Sequence, residues 1–138
     1  MMASPVVLLS ALVTILALVF YFYTGIHVGR MRSKHGVHAP ACTGHPEFER
    51  AFRIQMNTLE QIVVFLPLLW LTAIFFSPYP MIAPILGVIW VIGRAVYMDG
   101  YMRAPEKRGP GFGISAVCQI LLLILALIGI VMTWMSLG

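Results

Sequence analysis

Arg53, Asn57 and Glu60 stand at i, i+4 and i+7 of one stretch, with Gln61 beside them, so on a helix they share a face. A later stretch places Arg94, Tyr97 and Tyr101 at i, i+3 and i+7, and Arg108 follows Tyr101 by seven residues. Guanidinium groups set against a carboxylate, an amide and phenolic hydroxyls make a small charged pocket, suited to a ligand that carries both carboxylates and an amine. Plainer roles are open to the same residues. Polar groups between membrane helices serve as interhelical glue, tyrosines near helix ends form aromatic belts, and a loop arginine such as Arg108 can simply anchor a cytoplasmic segment.

The elements that must carry these stripes follow from composition. Of the 138 residues 60% are apolar and only 10% charged, too few polar side chains to cover a water-soluble globule, and intrinsic disorder fails on the same count. The solvent for most of the chain must be lipid. A helix crossing about 30 Å of hydrocarbon needs about 20 residues, so four crossings nearly exhaust the length. A β-barrel would show short alternating segments in place of long continuous apolar runs. The expected fold is therefore an all-α membrane protein, a four-helix bundle forming a single domain over residues 1–138, with spans at 5–27, 47–76, 81–102 and 112–135.

A cleaved leader would start with positive charge, whereas here Arg30, Arg32 and Lys34 follow the first apolar run, which reads as a retained helix. All nine Lys and Arg fall between Arg30 and Arg108, and none lies in the turn at 77–80 or at either end. Both charged connections are thus expected on the cytoplasmic side and both termini on the other. That split argues against nucleic acid as the partner of the net +4 charge. A bacterial inner membrane and an endomembrane fit equally well.

Glu60 near membrane depth is costly, about 2.5–3.5 kcal/mol for the comparable Asp at a helix centre, so it should face a partner or a wet cavity. Ionisable residues inside spans are functional by default, which favours the pocket over the glue for Arg53, Asn57 and Glu60. His35, His38, Cys42 and His45 lie within eleven residues, but their spacing matches no recognised metal site, and they read as part of a solvated Gly/Pro loop. No metal is expected. Cys42 and Cys118 have no reason to meet and should be free thiols.

The segment Glu47-Phe48-Glu49-Arg50-Ala51-Phe52-Arg53-Ile54-Gln55-Met56-Asn57-Thr58-Leu59-Glu60 resembles the helix-two signature of the membrane-associated proteins in eicosanoid and glutathione metabolism. Arg94-Ala95-Val96-Tyr97-Met98-Asp99-Gly100-Tyr101 is similar to the helix-three motif of that family, and the basic loop with Arg108 and the four spans extend the likeness over nearly the whole chain. The resemblance implies a homotrimer of four-helix subunits that binds glutathione, as co-substrate, between neighbours near the cytoplasmic side. Arg53, Asn57, Glu60, Tyr97 and Tyr101 then resemble glutathione contacts, as do Gln55 and Arg32, and Arg94 joins them through its stripe. Arg108 resembles the arginine that activates the thiol.

The expected function is that of a microsomal glutathione transferase-like enzyme in the lipid bilayer. It would conjugate glutathione to lipophilic electrophiles, as in detoxification, with glutathione-dependent peroxidase activity beside it. The alternative is a non-catalytic membrane ligand-binding or scaffold protein using the same stripes.

Overall fold

In hydrocarbon each segment must satisfy its own backbone polar groups, and the apolar runs do so as long unbroken helices. The computed structural model describes residues 4–138 and contains α1 (Pro5–His35), α2 (Pro46–Phe75), α3 (Ile82–Arg103) and α4 (Gly109–Leu137), with a 3-10 turn at Pro105–Arg108 leading into the last. All four helices are long and apolar enough to cross a membrane, and no strand occurs among the described residues.

Two boundaries differ from expectation. α1 continues eight residues past the expected end at 27, through the basic segment to His35, and stops at Gly36, whose φ of 64° and ψ of 29° form a left-handed cap. Arg32, Lys34 and His35 in that last turn lie at the negative end of the helix dipole. At 31 residues the helix is about 46 Å long, so its basic end projects from a hydrocarbon layer of about 30 Å. α4 begins at Gly109 in place of 112, because Pro110 falls in the first turn, where a missing N–H breaks no helical bond. α2 stays helical through Pro67.

Consecutive helices run antiparallel. The charged connections at 36–45 and 104–108 therefore meet at one end of the bundle, and the short turn at 76–81 lies at the other. The core between them is small and dense: Val13 and Ala17 of α1, Phe65 and Leu69 of α2, Leu86 and Trp90 of α3, and Leu122 of α4. Trp90 is fully buried and stacks on Phe65, with ring centres 3.9 Å apart and planes 1° from parallel.

Lipid is as apolar as the core, so burial alone does little to hold these helices together, and packing and hydrogen bonds must do it. Trp70 Nε1 donates to Thr14 Oγ1 at 3.1 Å, Thr72 Oγ1 to the Leu122 carbonyl at 2.9 Å, and Trp90 Nε1 to Gln119 Oε1 at 2.8 Å. Gly93 lets α4 approach closely, since a Cβ there would lie 2.7 Å from Ser115 Oγ. Large apolar side chains such as Leu12, Phe22, Val63, Ile92 and Leu127 are left exposed along every helix, as a lipid-facing surface requires.

Candidate functional site

At the charged end, four elements converge on a cavity of about 300 Å³ lined by Arg53 and Asn57 of α2, Tyr97 of α3, Arg108 of the 3-10 turn and Phe112 of α4. The two stripes read from the sequence do lie at one depth. Glu60 closes the rim: its carboxylate lies 3.6 Å from Arg53 Nη1 and accepts from Asn57 Nδ2 at 3.4 Å. Both side chains of that ion pair are more than half exposed, at 55% and 54%, so their charges remain available to a ligand. Tyr101 is buried behind the rim, its ring 5.6 Å from that of Tyr97 and 5.5 Å beneath the Arg108 guanidinium.

Arg108 is held at this spot by the backbone. It is the N-terminal flank of α4, with no side chain capping the helix, so the positive end of the helix dipole adds to its charge. One turn further, Gly111 lies directly on the backbone of Tyr97 and brings Phe112 to the cavity wall.

Arg94 is placed differently from the other stripe residues. It is 0% exposed and lies behind the cavity rather than in it. Its Nη2 donates to Asn57 Oδ1 at 2.9 Å and to Thr58 Oγ1 at 3.0 Å, and its guanidinium lies 4.1 Å over the Tyr97 ring. Its Nε and Nη1 are buried with no protein partner among the described residues. A guanidinium so placed fixes Asn57 and Tyr97 from the rear, and the ring face compensates part of its charge.

Breaking that support is asymmetric. Asn57→Leu leaves a buried cation short of an acceptor, a loss of about 1.5–3 kcal/mol, whereas Arg94→Met removes the cation itself. Asn57→Leu should therefore lower the melting temperature in detergent more than Arg94→Met does; the reverse order would show that the Arg94 charge is compensated elsewhere.

Gln55 and Arg32 lie on another face of the chain. Gln55 packs against α1, where a Cβ on Gly25 would come within 3.2 Å of its Nε2. Arg32 donates from Nη1 to the Ala41 carbonyl at 2.8 Å and lies 4.6 Å over the Phe48 ring. Neither lines the cavity of its own chain.

The histidine loop is more ordered than its composition suggests. His35 ends α1 and His45 caps α2, accepting the Glu47 N–H on Nδ1 at 3.1 Å; the two rings stack with centres 3.5 Å apart. Glu47 completes the group, accepting from Lys34 Nζ at 3.0 Å and pairing with His35 Nε2 at 2.9 Å. His35, His45 and Glu47 thus come within the reach of one ion, a set that the spacing of His35, His38, Cys42 and His45 does not reveal. Stacked rings direct their in-plane lone pairs side by side, and Lys34 already occupies the carboxylate, so the group acts as a clip between α1 and α2. Cys42 and Cys118 are both free thiols.

Thr58 and Phe112 are the site residues that sequence reasoning missed. Thr58 carries a signal, a hydroxyl adjacent to Asn57 in an apolar segment, and Phe112 carries only its position four residues after Arg108.

Four apolar helices with a polar cavity at the charged end of the bundle describe a multi-pass integral membrane protein. The chain matches the MAPEG family over residues 10–128 and belongs to it. It is 40% identical to human microsomal glutathione S-transferase 2 over 129 residues, covering 94% of this chain and 86% of that protein. Guinea pig (Cavia porcellus) leukotriene C4 synthase is 36% identical over 124 residues, covering 90% of this chain and 81% of that protein. An uncharacterized Synechocystis protein, sll1147, is 46% identical over 129 residues, covering 94% and 93%.

Proposed function

We propose that the protein is a membrane-bound glutathione transferase that conjugates glutathione to lipophilic electrophiles and reduces lipid hydroperoxides with the same thiol. The observation that carries this reading is the convergence of Arg53, Asn57, Tyr97 and Arg108 from three elements on one cavity at the charged end of the bundle. Its relatives named as a glutathione S-transferase and a leukotriene C4 synthase support it.

Glutathione carries two carboxylates, an amine and a thiol, and the site offers a complement for each. Arg53 takes a carboxylate, Glu60 the amine, and Asn57, Tyr97 and Tyr101 hydrogen-bond the peptide. Arg94 supports Asn57 and Tyr97 from behind. Arg108 faces the sulfur. An ordinary thiol of pKa about 8.5 is only a few per cent ionised at pH 7, and the thiolate is the nucleophile. A guanidinium beside it favours the anion, and the electrophile enters from the bilayer.

The exposed Arg53–Glu60 rim and the outlying Gln55 and Arg32 fit a homotrimer in which the α1/α2 face of one copy closes the cavity of the next. In this arrangement the charged end faces the cytoplasm and both termini lie outside.

The test separates enzyme from scaffold. Adding glutathione to the purified protein should produce the ultraviolet absorption of a thiolate, and the protein should conjugate a chloronitrobenzene. Binding of glutathione with neither result would favour the non-catalytic reading.

A further inference from the structure

A carboxamide in the middle of a span needs a reason, and α4 holds one. Gln119 is half-buried, ten residues into the helix, with its Oε1 accepting from Trp90 Nε1 at 2.8 Å. That bond fixes the amide plane, because Trp90 is fully buried and clamped against Phe65. The two N–H groups on Nε2 are left with no protein partner among the described residues, yet Nε2 is not sealed from its surroundings.

The direction of the free N–H groups follows from the helix register. Gln119 comes seven residues after Phe112 and four after Ser115, on the flank of α4 turned toward α2, where Thr72 meets the Leu122 carbonyl. It is on the opposite side from the α3/α4 groove lined by Ile114, Val117 and Leu121. Phe112 is a wall of the polar cavity, so Gln119 stands about 10 Å deeper in the membrane on the same stripe. Along α4 the strip is apolar and open: Phe112 and Leu123, one on either side of Gln119 in the helix register, are each more than 40% exposed. An unpaired donor in such surroundings is unfavourable until an acceptor reaches it.

We infer that Gln119 is a specificity-determining residue, selecting lipophilic electrophiles whose chain carries a hydrogen-bond acceptor about 10 Å from the reacting carbon. This rests on the transferase reading above, because only a thiolate held at Arg108 places the electrophilic carbon at the top of the strip. The substrate class is an oxygenated aliphatic chain, with a carbonyl or ester oxygen at the depth of Gln119 and apolar carbon on either side.

The experiment compares conjugation of two enones matched in length, one with a plain alkyl tail and one with an ester carbonyl about 10 Å from the electrophilic carbon. The wild-type protein should favour the ester in kcat/KM by about three- to tenfold, the range of one net hydrogen bond. Moving the ester four bonds closer should abolish the preference without any mutation. Gln119→Leu should abolish it too, read as the ratio of ester to plain enone within the variant, so that any loss from unpairing Trp90 Nε1 affects both substrates alike and cancels. Equal rates for both enones in wild-type protein that conjugates chloronitrobenzene overturn the role of Gln119 and leave the transferase reading standing. No conjugation of chloronitrobenzene overturns that reading and this inference with it.

Discussion

Arg108→Ala should lower turnover with chloronitrobenzene by about 100-fold at pH 7, while glutathione affinity changes by less than about tenfold, since the carboxylates and amine are held by other residues. The size of the effect follows from separating two contributions. Suppose the guanidinium lowers the thiol pKa by about two units from 8.5; the ionised fraction at pH 7 then rises from about 3% to about 75%. A less basic thiolate is also a poorer nucleophile, and with a Brønsted slope of about 0.5 the same two units cost about tenfold. Ionisation alone therefore contributes only about two- to threefold. The remainder must come from a cation fixed beside the sulfur and beside the charge that develops on the electrophile, a kind of stabilisation whose removal costs about 10²–10³.

The two contributions differ in their pH dependence. Raising the pH to about 9.5 ionises the thiol without help, so a purely ionising arginine becomes dispensable there, and the alanine variant would match or exceed the wild type. A charge-stabilising arginine leaves the variant slow at every pH. We expect the second pattern, together with an acid limb displaced upward by about two units. Equal losses in affinity and turnover would instead make Arg108 a binding residue. Some activity should survive, because the uncapped N-terminus of α4 remains where Arg108 was.

The bundle and the polar cavity were readable in the sequence for one physical reason. Lipid forces helices of a known minimum length and makes every intramembrane charge conspicuous, so Arg53 and Asn57 stand out by type and spacing, whereas Tyr97 and Arg108, which spacing alone leaves open to belt and anchor roles, are singled out by the family resemblance. Spacing gives a residue's face on a helix but not what stands opposite that face. Arg94 shares a stripe with Tyr97, yet the packing of α2 against it turns a candidate ligand contact into a buried support. Gln55 and Arg32 share a segment or a motif with the site but face α1 and the 36–45 connection. The stacked His35 and His45 were hidden because Gly36 reverses the chain between them, a long-range consequence of one left-handed residue. Phe112 gave no signal, because an aromatic ring is not out of place in an apolar run, and Gln119, though conspicuous as an amide within a span, stands apart from the polar stripes at the charged end.

Gly111→Ala should lower stability sharply and abolish activity, although it adds one methyl group to a residue with ordinary helical geometry. A Cβ at position 111 would lie 2.1 Å from Tyr97 N, 2.4 Å from Tyr97 Cα and 2.7 Å from the Gly93 carbonyl oxygen. All three neighbours are backbone atoms, so no change of rotamer relieves the clash and α3 and α4 must separate by more than about 1 Å. Separation stretches the Trp90–Gln119 bond of 2.8 Å and the Ser115–Trp90 carbonyl contact of 3.4 Å, the ties that hold the two helices below the site. It also withdraws Arg108 and Phe112 from Tyr97, opening the cavity at the point where the thiol must sit. We expect a destabilisation of about 3 kcal/mol or more, at the upper end for overpacking, read as a lowered melting temperature in detergent. Gly113→Ala is the matched control: on the same helix, two residues away, its added Cβ meets nothing within 4 Å, and the better helix propensity of alanine should leave the protein equally stable or slightly more so. If both variants melt together with the wild type, α3 and α4 are not in backbone contact at Tyr97, and the placement of Arg108 beside the sulfur loses its structural basis.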